Sequence, residues 1–421
     1  MKPAIDRLKT ETNILKNLGK IGVVCNQTSA NSSFEPSLEV IYKVANNSFN
    51  SYVTCIFGPQ HGYSQTEQDN MKETPDDFYI FQDGQKVPLY SLYSSTREPT
   101  EKQLENVDTI IVDLQDIGCR VYTYMLTLAA CLKAGAKHNK KVIVLDRANP
   151  LGLCQKNKNN FWNYVEGNRL ETKWHSFVGW YDIPMRHGLT MGELGYYFIQ
   201  CDNLDIKYEV ITVENLTRNL DIIKLKNIKW AMPSPNIPSW ESAFMFPSFV
   251  TLEGTNISEG RGSTIPFQLI GSPWLNAKKC IQFLNDNSNL YLYDEKISNS
   301  IFLRNHKFRP TFNKYTNTIC DGIQFHIGKP ENLDLFALGM SFLYYCCSEH
   351  SDEFKWAQPG YEYNYEDLPI NLILGTDDWY NLFSKSGENK SIDILKSSLK
   401  KSKIDAQNFI KKMEPMLIYR E

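Results

Sequence analysis

The sequence lacks a strong charge of either sign, since 45 Lys and Arg residues nearly balance 48 Asp and Glu residues. A protein whose main partner is nucleic acid carries a basic surface, so the net charge of −3 argues against that partner. The sequence also lacks the run of about 18 apolar residues that a transmembrane helix needs. We therefore predict neither nucleic-acid binding nor a membrane span.

Signals for export are missing as well. The N-terminal segment has neither the apolar core nor the small-residue cleavage site of a secretory signal. The ten cysteines are scattered, several of them inside apolar runs, and none forms a Cys-x-x-Cys pair. This usage is typical of buried thiols in a reducing compartment rather than of disulfides or a zinc site. We expect a cytoplasmic protein.

Several motifs of nucleotide-binding proteins and hydrolases do not occur. No Gly-x-Gly-x-x-Gly follows a predicted strand, and the sequence has no Walker loop and no Gly-x-Ser-x-Gly elbow. The glycines of residues 254–262 (GTNISEGRG) have the wrong spacing for either nucleotide motif. The seven histidines are isolated, so nothing in the pattern supports a metal hydrolase. We expect neither a cofactor nor a metal.

Four short apolar runs in the first half of the chain predict buried strands. They are rich in β-branched residues and do not alternate with polar residues, which is typical of strands buried on both faces of a parallel sheet. The runs are 20–25 (KIGVVC), 52–57 (YVTCIF), 109–112 (TIIV) and 141–145 (KVIVL). A long helix predicted over residues 120–137 would complete a strand–helix–strand unit.

The remaining segments predict several different kinds of secondary structure along the chain. Residues 188–200 favour a helix that begins with a capping box of Thr190 and Glu193, and 155–160 (QKNKNN) favour a surface loop. Residues 230–274 are rich in proline, glycine and aromatics, which predicts ordered irregular chain. Later patterns predict a strand at 322–327 and an amphipathic helix over 391–412.

These elements predict an α/β fold class in two domains. A Rossmann-like parallel-sheet domain would cover residues 1–274, and a smaller α+β C-terminal domain would cover residues 275–421.

Polar side chains follow the predicted strands at their carboxyl ends. Gln60 and His61 follow the second strand, residues 113–116 (DLQD) follow the third, and 146–147 (DR) follow the fourth. Ligands of open parallel sheets bind beyond the carboxyl ends of the strands, so side chains that are distant in sequence would meet there. We expect a ligand site at this edge; the alternative is that these residues only begin surface loops.

The side chains that remain as candidates for catalysis and binding are carboxylates, amides and arginines. In glycoside hydrolysis one carboxyl group protonates the leaving oxygen, and another acts as nucleophile or base. The acids near motifs are Asp113, Asp116, Glu166, Glu253 and Glu259. The 23 Tyr, 22 Phe and 8 Trp suit either an aromatic core or a cleft whose rings stack on sugar faces.

Six segments of the chain resemble the exo-β-N-acetylmuramidase family of glycoside hydrolases, formerly a domain of unknown function. They are GVVCNQTS, FGPQHGYSQTEQDNM, VDLQDIGCRVYTYMLTLAACL, VIVLDRANPLG, VEGNRLETKWHSFVGWYDIPMRHGLTMGEL and WAMPSPNIPSWESAFMFPSFVTLEGTNISEGRGSTIPFQLIG. The resemblance implies a cleft between a Rossmann-like domain and a smaller C-terminal domain. It also implies release of N-acetylmuramic acid from the non-reducing ends of peptidoglycan fragments during cell-wall recycling. The expected partner is therefore a small sugar substrate, a muramic-acid-containing saccharide or muropeptide.

Two positions depart from the family pattern. Many members carry Glu, the favoured catalytic candidate, in a Pro-Glu-His-Gly motif where this chain carries Gln60, and relatives often carry Glu at the position of Lys133. A glutamine amide cannot act as an acid or base near neutral pH. Glu67, Glu166 or Glu253 would then supply the acid, or the chain would be a sugar-binding pseudoenzyme that senses wall fragments.

The resemblance also implies a division of roles. His61 and Asp116 would shape the reacting centre with Gln60, and Glu166 or Glu253 would be the acid. Ten residues would hold sugar hydroxyls or the lactyl carboxylate, for which the arginine fork suits bidentate bonds; they are Asp113, Gln115, Arg120, Tyr122, Asp146, Arg147, Asn149, His187, Asn256 and Arg261. Some of these residues have a structural alternative to sugar binding. Asp146 and Arg147 would form an ion pair with each other, Arg261 would bind neighbouring carbonyl groups, and Tyr122 would pack in the core.

Overall fold

A seven-stranded sheet organises the N-terminal part of the chain. The computed structural model describes residues 1–68, 71–158, 160–384 and 391–420. In chain order, the first nine strands are β1 (Gly19–Val24), β2 (Ser51–Gly58), β3 (Asp77–Ile80), β4 (Lys86–Ser91), β5 (Thr109–Val112), β6 (Lys141–Leu145), β7 (Gln155–Lys156), β8 (Trp162–Asn163) and β9 (Tyr208–Ile211). The sheet has the order β3-β4-β2-β1-β5-β6-β9, while β7 and β8 form a separate hairpin. The β3–β4 pair is antiparallel and the other pairs of the large sheet are parallel.

The four predicted strands are confirmed to within one residue at each end. Helices accompany them: α1 (Ser37–Asn46), α2 (Glu101–Leu104), α3 (Tyr124–Lys137), α4 (Met191–Cys201) and α5 (Ile223–Lys226). Within β6, Val142 and Val144 belong to the core cluster that contains α3, whereas Ile143 and Leu145 belong to the cluster that contains α1. Apolar residues run without alternation because both faces of the strand are covered.

The helix predicted from residue 120 begins at Tyr124 instead. The reason is that the backbone N–H of Arg120 donates to the carbonyl of Met185 at 2.8 Å, which ties this segment to a neighbouring strand-like stretch. The capping box of Thr190 and Glu193 at the start of α4 is confirmed.

The prediction of irregular chain over residues 230–274 is wrong for α6 (Trp240–Phe249). Ser239 caps this helix, accepting from the backbone N–H of Ser242 at 3.2 Å. Pro247 lies near its C-terminal end, so most of the helix is complete before the proline removes a donor. Its aromatic residues pack on all sides, because the helix is buried. A 3₁₀ turn (Val250–Gly254) follows directly.

The C-terminal part combines a small antiparallel sheet with helices. Its strands are β10 (Leu269–Ser272), β11 (Ile301–Asn305) and β12 (Asp321–Ile327), in the order β10-β12-β11. Its helices are α7 (Ala277–Asp286), α8 (Leu335–Glu349), α9 (Pro369–Leu374), α10 (Asp378–Ser384) and α11 (Ile392–Met413). The predicted strand at 322–327 and the predicted tail helix are confirmed as β12 and α11. The fold class is thus α/β, with a smaller C-terminal part.

Other expectations concern short segments and thiols. The predicted loop at 155–160 begins with β7, and Asn159 lies outside the described residues. All ten cysteines are free thiols, of which nine are buried and Cys201 is exposed. Across the described ranges, no helix has both the length and the apolar character required to cross a membrane.

Candidate active site

A cleft with a cavity volume of about 50 Å³ is lined by residues of both the N-terminal sheet region and the C-terminal part. The carboxyl end of β2, the start of α3, the chain after α6 and a loop between α8 and α9 surround the cleft. Five of the residues predicted from the sequence line it: Gln60, His61, Tyr122, Glu253 and Arg261.

Gln60 lies on a tight loop that follows β2. The left-handed backbone of Gly62 (φ +72°) and His61 (φ +68°) folds this loop back toward the cleft. The Gln60 Oε1 atom accepts from the Thr123 hydroxyl at 2.5 Å, and its Nε2 atom donates to Glu362 Oε1 at 3.4 Å. These two contacts fix the orientation of the amide between α3 and the C-terminal loop.

His61 presents a neutral imidazole to the cleft. Its Nδ1 atom donates to the carbonyl of Glu67 at 2.8 Å. Burial, with the nearby positive charge of Arg261, lowers the pKa of His61 to about 4. At neutral pH the ring is therefore uncharged, and Nε2 is the nitrogen that can accept a hydrogen bond.

Glu253 and Arg261 form an ion pair on the opposite wall. The Glu253 carboxylate accepts from Arg261 Nη2 at 2.7 Å and from the Tyr361 hydroxyl at 2.7 Å. Arg261 also contacts Glu259, at 3.2 Å between Nε and Oε1, and Glu259 in turn binds Lys314 at 2.9 Å. The negative charge of Glu253 thus faces the cleft within a network of alternating charges.

A second carboxyl group in the cleft, that of Glu362, was not predicted from the sequence. Only 7% of this residue is exposed, and its side chain accepts from Gln60 and from the Tyr93 hydroxyl, the latter at 2.8 Å. Burial, helped by the charge of Glu253, raises the pKa of Glu362. The local sequence YEYNYED carries no motif, so an acid among tyrosines was the only available signal.

Two tyrosines of the segment that enters α3 form the adjoining wall. The Tyr124 hydroxyl accepts from Asn26 at 2.9 Å and from Gln65 at 2.7 Å, and it donates to the carbonyl of Pro233 at 2.7 Å. Tyr122 packs edge-to-face against it, with 4.9 Å between the ring centroids. Within the described residues the buried Tyr122 hydroxyl has no hydrogen-bond partner.

Asp116 and His187 lie together but do not line the cleft. Asp116 Oδ2 accepts from the backbone N–H of Gly118 at 2.6 Å and lies 3.6 Å from His187 Nε2. In the described part of the chain, Asp116 Oδ1 and His187 Nε2 are buried without a hydrogen-bond partner. The pair is placed beneath the loop that leads to α3.

Other predicted residues hold loops at the sheet edge. Arg147 makes a bidentate bond to Asp113, at 2.5 and 2.9 Å, and both side chains are buried. Asp146 accepts from the backbone N–H of Gly192 at 3.0 Å and from the Tyr419 hydroxyl at 2.8 Å. Burial raises the pKa of Asp146 to about 6. These contacts join strand-end loops to one another and to the C-terminal tail.

Three predicted amide side chains bind backbone groups. Gln115 donates to the carbonyl of Ala148 at 3.1 Å, and Asn149 donates to that of Leu189 at 3.0 Å. Asn256 donates to the carbonyl of Glu353 at 2.8 Å. None of these three is among the lining residues of the cleft.

Arg120 and Glu166 are buried at contacts between the two parts of the chain. Arg120 donates to four backbone carbonyls, at 2.8–3.1 Å, of Asn168, Ile183, Ile373 and Leu374. Glu166 pairs with Arg186 at 2.6 Å and accepts from the N–H of Leu335, the first residue of α8, at 2.7 Å. Glu67, the other acid considered, lies 3.4 Å from Lys72. The structure brings none of these three side chains into the cleft lining.

A second, larger cavity of about 440 Å³ lies over the ends of β6 and β9. Thr28, Gln115, Arg147 and Trp230 are among its lining residues, and its described lining includes no Asp or Glu. Since glycoside hydrolysis depends on carboxyl groups, the smaller cleft is the better candidate.

One acidic cluster within the described ranges could hold a cation. It consists of Glu171, Asp377 and Asp378 at the surface. Lys173 lies 3.1 Å from Asp377, and Lys401 lies 2.7 Å from Asp378. Lysines thus already balance these charges, and none of the three acids lines the cleft.

Comparison with known proteins gives matches along the chain. The N-terminal model of the exo-β-N-acetylmuramidase NamZ family matches residues 21–241, and its C-terminal model matches residues 244–419. The peptidoglycan β-N-acetylmuramidase NamZ of Bacillus subtilis is 32% identical over 401 residues, covering 95% of this chain and 87% of that protein. Two crystal structures of DUF1343 family proteins from Bacteroides fragilis are each 25% identical. They superpose with TM-scores of 0.79 and 0.68, over 99% and 100% of this chain and 98% and 99% of theirs. The chain therefore belongs to the exo-β-N-acetylmuramidase NamZ family and is a muramidase-type glycoside hydrolase.

Proposed function

We propose that this protein hydrolyses the β-glycosidic bond of N-acetylmuramic acid at the non-reducing end of peptidoglycan fragments. The observation that carries the proposal is the pair of carboxyl groups, Glu253 and Glu362, in one cleft. Glycosidases need two such groups beside the scissile bond. The Bacillus subtilis relative bears the name of a peptidoglycan β-N-acetylmuramidase, which supports the choice of sugar.

The other lining residues suit a sugar. The His61 ring is neutral and offers an acceptor nitrogen. The rings of Phe246 and Phe267, with 4.7 Å between their centroids, form an apolar part of the cleft wall.

The proposed setting is the recycling of wall fragments in the cytoplasm. The ten free thiols suit a reducing compartment, since cysteines in oxidising compartments are commonly paired. The substrate there would be a muramic-acid-containing saccharide or muropeptide.

Hydrolysis of the p-nitrophenyl β-glycoside of N-acetylmuramic acid tests the proposal. We expect release of p-nitrophenol from this compound and none from the N-acetylglucosamine glycoside, which serves as the control. The second candidate function, a non-catalytic sugar-binding protein, is favoured by Gln60, whose amide is no acid. A saturable thermal shift with N-acetylmuramic acid, together with no release from either glycoside, would establish that second function.

A further inference from the structure

We propose that Glu362 is the general acid of this cleft and that Gln60 positions it. The inference rests on the proposed hydrolysis and supplies the proton donor that position 60 cannot provide. The acid would come from the C-terminal part of the chain, whereas the family motif resembled by residues 58–62 lies in the N-terminal part.

The hydrogen bonds of Glu362 define where its proton can lie. Gln60 Nε2 donates to one carboxyl oxygen at 3.4 Å, and the Tyr93 hydroxyl donates to the other at 2.8 Å. Each oxygen keeps a second lone pair that can carry the proton. Because Thr123 donates to Gln60 Oε1, the amide has to turn its NH₂ group toward Glu362. Gln60 therefore acts as an orienting donor.

The backbone around Glu362 is held in an unusual conformation. Glu362 and the following Tyr363 have φ values of +46° and +65°, in the left-handed region that non-glycine residues rarely adopt. The Tyr363 hydroxyl donates to the carbonyl of Met71 at 2.8 Å and fastens this turn. The preceding Tyr361 donates to Glu253. One strained turn thus supports both carboxyl groups, as is frequent at functional sites.

The environments of the two carboxyl groups differ. Glu253 is paired with Arg261 and accepts from Tyr361, so its negative charge is stabilised. Burial raises the pKa of Glu362 and the charge of Glu253 adds to this, while the hydrogen bonds from Tyr93 and Gln60 and the charge of Arg97 oppose it. Two carboxyl groups in environments that differ in this way suit the acid and the charged partner of a glycosidase.

The proton and electron balance of the step is simple. Glu362 gives its proton to the glycosidic oxygen while the bond from C1 of the sugar to that oxygen breaks, and the electron pair stays on the oxygen. The carboxylate of Glu253 stabilises the positive charge that develops at C1. Water supplies the oxygen that finally bonds C1 and the proton that restores Glu362.

Two substrates, each assayed with the full-length Glu362→Gln variant, show whether Glu362 acts as the acid or only as a structural residue. One is the disaccharide of N-acetylmuramic acid and N-acetylglucosamine, whose leaving oxygen needs a proton. The other is a 2,4-dinitrophenyl glycoside, which leaves without one. We expect kcat on the disaccharide to fall by roughly 10²–10⁴-fold and kcat on the dinitrophenyl glycoside to fall by less than about tenfold. The matched control is Glu366→Gln, an exposed glutamate four residues further on.

The outcomes separate this inference from the proposed function. Full activity of Glu362→Gln on the disaccharide, or equal losses on both substrates, overturns the role of Glu362 while hydrolysis stands. No turnover by the wild type on any substrate overturns both proposals. If Glu362→Gln does not fold, as judged by its thermal unfolding, Tyr93→Phe replaces it. Loss of the hydrogen bond from Tyr93 to Glu362 should shift the decline of the rate at high pH to still higher pH. A pH–rate profile whose decline does not shift contradicts the inference.

Discussion

The amide of Gln60 occupies a position between a hydroxyl donor and a buried acid. Its oxygen faces Thr123 and its nitrogen faces Glu362. An amide can satisfy a hydroxyl donor and a carboxyl acceptor at the same time. The departure from the family motif therefore has a defined structural partner in the C-terminal part of the chain.

Gln60→Glu should disturb this arrangement instead of restoring a missing acid. The new carboxyl group would lie about 3.4 Å from Glu362, and two carboxyl groups so close share a proton, which raises the pKa of one of them. We expect the falling limb of the pH–rate profile to move to higher pH, with no tenfold gain of kcat at pH 7. The profile of p-nitrophenol release measures both.

Gln358→Glu, at an exposed position, adds the same charge outside the cleft and is the control. A gain of tenfold or more in kcat would instead mean that position 60 is itself the place of the acid.

Local sequence explains why the candidate site could be predicted only in part. Asp113 follows a parallel strand, as ligand-binding acids often do, yet its carboxylate is occupied by Arg147. The pattern of residues after a strand is the same whether the partner is an arginine or a ligand. Glu362 could not be predicted for a different reason: the residues that contact it in the cleft come from distant parts of the chain.

Helix α8 begins on a carboxylate from the other part of the chain. Glu166 accepts from the N–H groups of Leu335 and Phe336, at 2.7 and 3.3 Å, and pairs with Arg186. A negative charge at a helix N-terminus is favourable because it meets unpaired N–H groups and the helix dipole. Glu166 thereby couples the position of α8 to the loop that carries it.

Glu166→Gln should therefore lower stability and leave the chemistry intact. It leaves the Arg186 guanidinium buried without its carboxylate, which costs roughly 3–5 kcal/mol. Denaturant unfolding should show this loss, while kcat of the folded protein stays within about twofold of the wild type. Glu253→Gln is the contrasting variant: there we expect a loss of kcat, with a smaller loss of stability because Arg261 keeps its contact with Glu259. Full activity of Glu253→Gln would remove that residue from the catalytic pair.

The helices and strands could be predicted from the sequence where burial alone determines the pattern of apolar residues. The strand β5 is apolar throughout because all four of its residues are buried. Helix α6 was missed because Pro247 and the surrounding aromatics are typical of irregular chain, whereas here they pack inside the protein. The division at residues 274 and 275 stays a prediction; β10 precedes that point in the sequence but pairs with β12 of the C-terminal part.

The two parts of the chain share one continuous core. Residues of α3 and α6 belong to the same hydrophobic cluster as residues of α8 and α11. Arg120 adds polar contacts, since it donates to carbonyls on both sides of the junction. The cleft depends on this union, because Gln60 and Glu362 come from opposite sides of it.

Stability should depend on pH through Asp146. Its pKa of about 6 in the folded protein exceeds the value of about 3.9 in an unfolded chain. The folded state then binds more protons between these values, so the free energy of unfolding falls as pH rises from about 4 to about 6. The loss contributed by this group is about 3 kcal/mol.

Denaturant unfolding of the wild type and of Asp146→Asn across this pH range measures the effect. The asparagine variant should lack this part of the pH dependence, because it cannot ionise. Equal slopes for the two proteins would contradict the assignment.

The C-terminal tail returns to the first sheet, and this sets an order of events during synthesis. Tyr419 donates to Asp146 after β6, and its hydroxyl accepts from the N–H of Val213, a residue 206 positions earlier. Glu193 at the start of α4 accepts from the N–H of Ile418. A ribosome therefore completes the sheet long before it makes the residues that cover these polar groups. The nascent chain has to carry that edge uncovered while the second half of the chain is made, so final closure of the sheet is a late event in biogenesis.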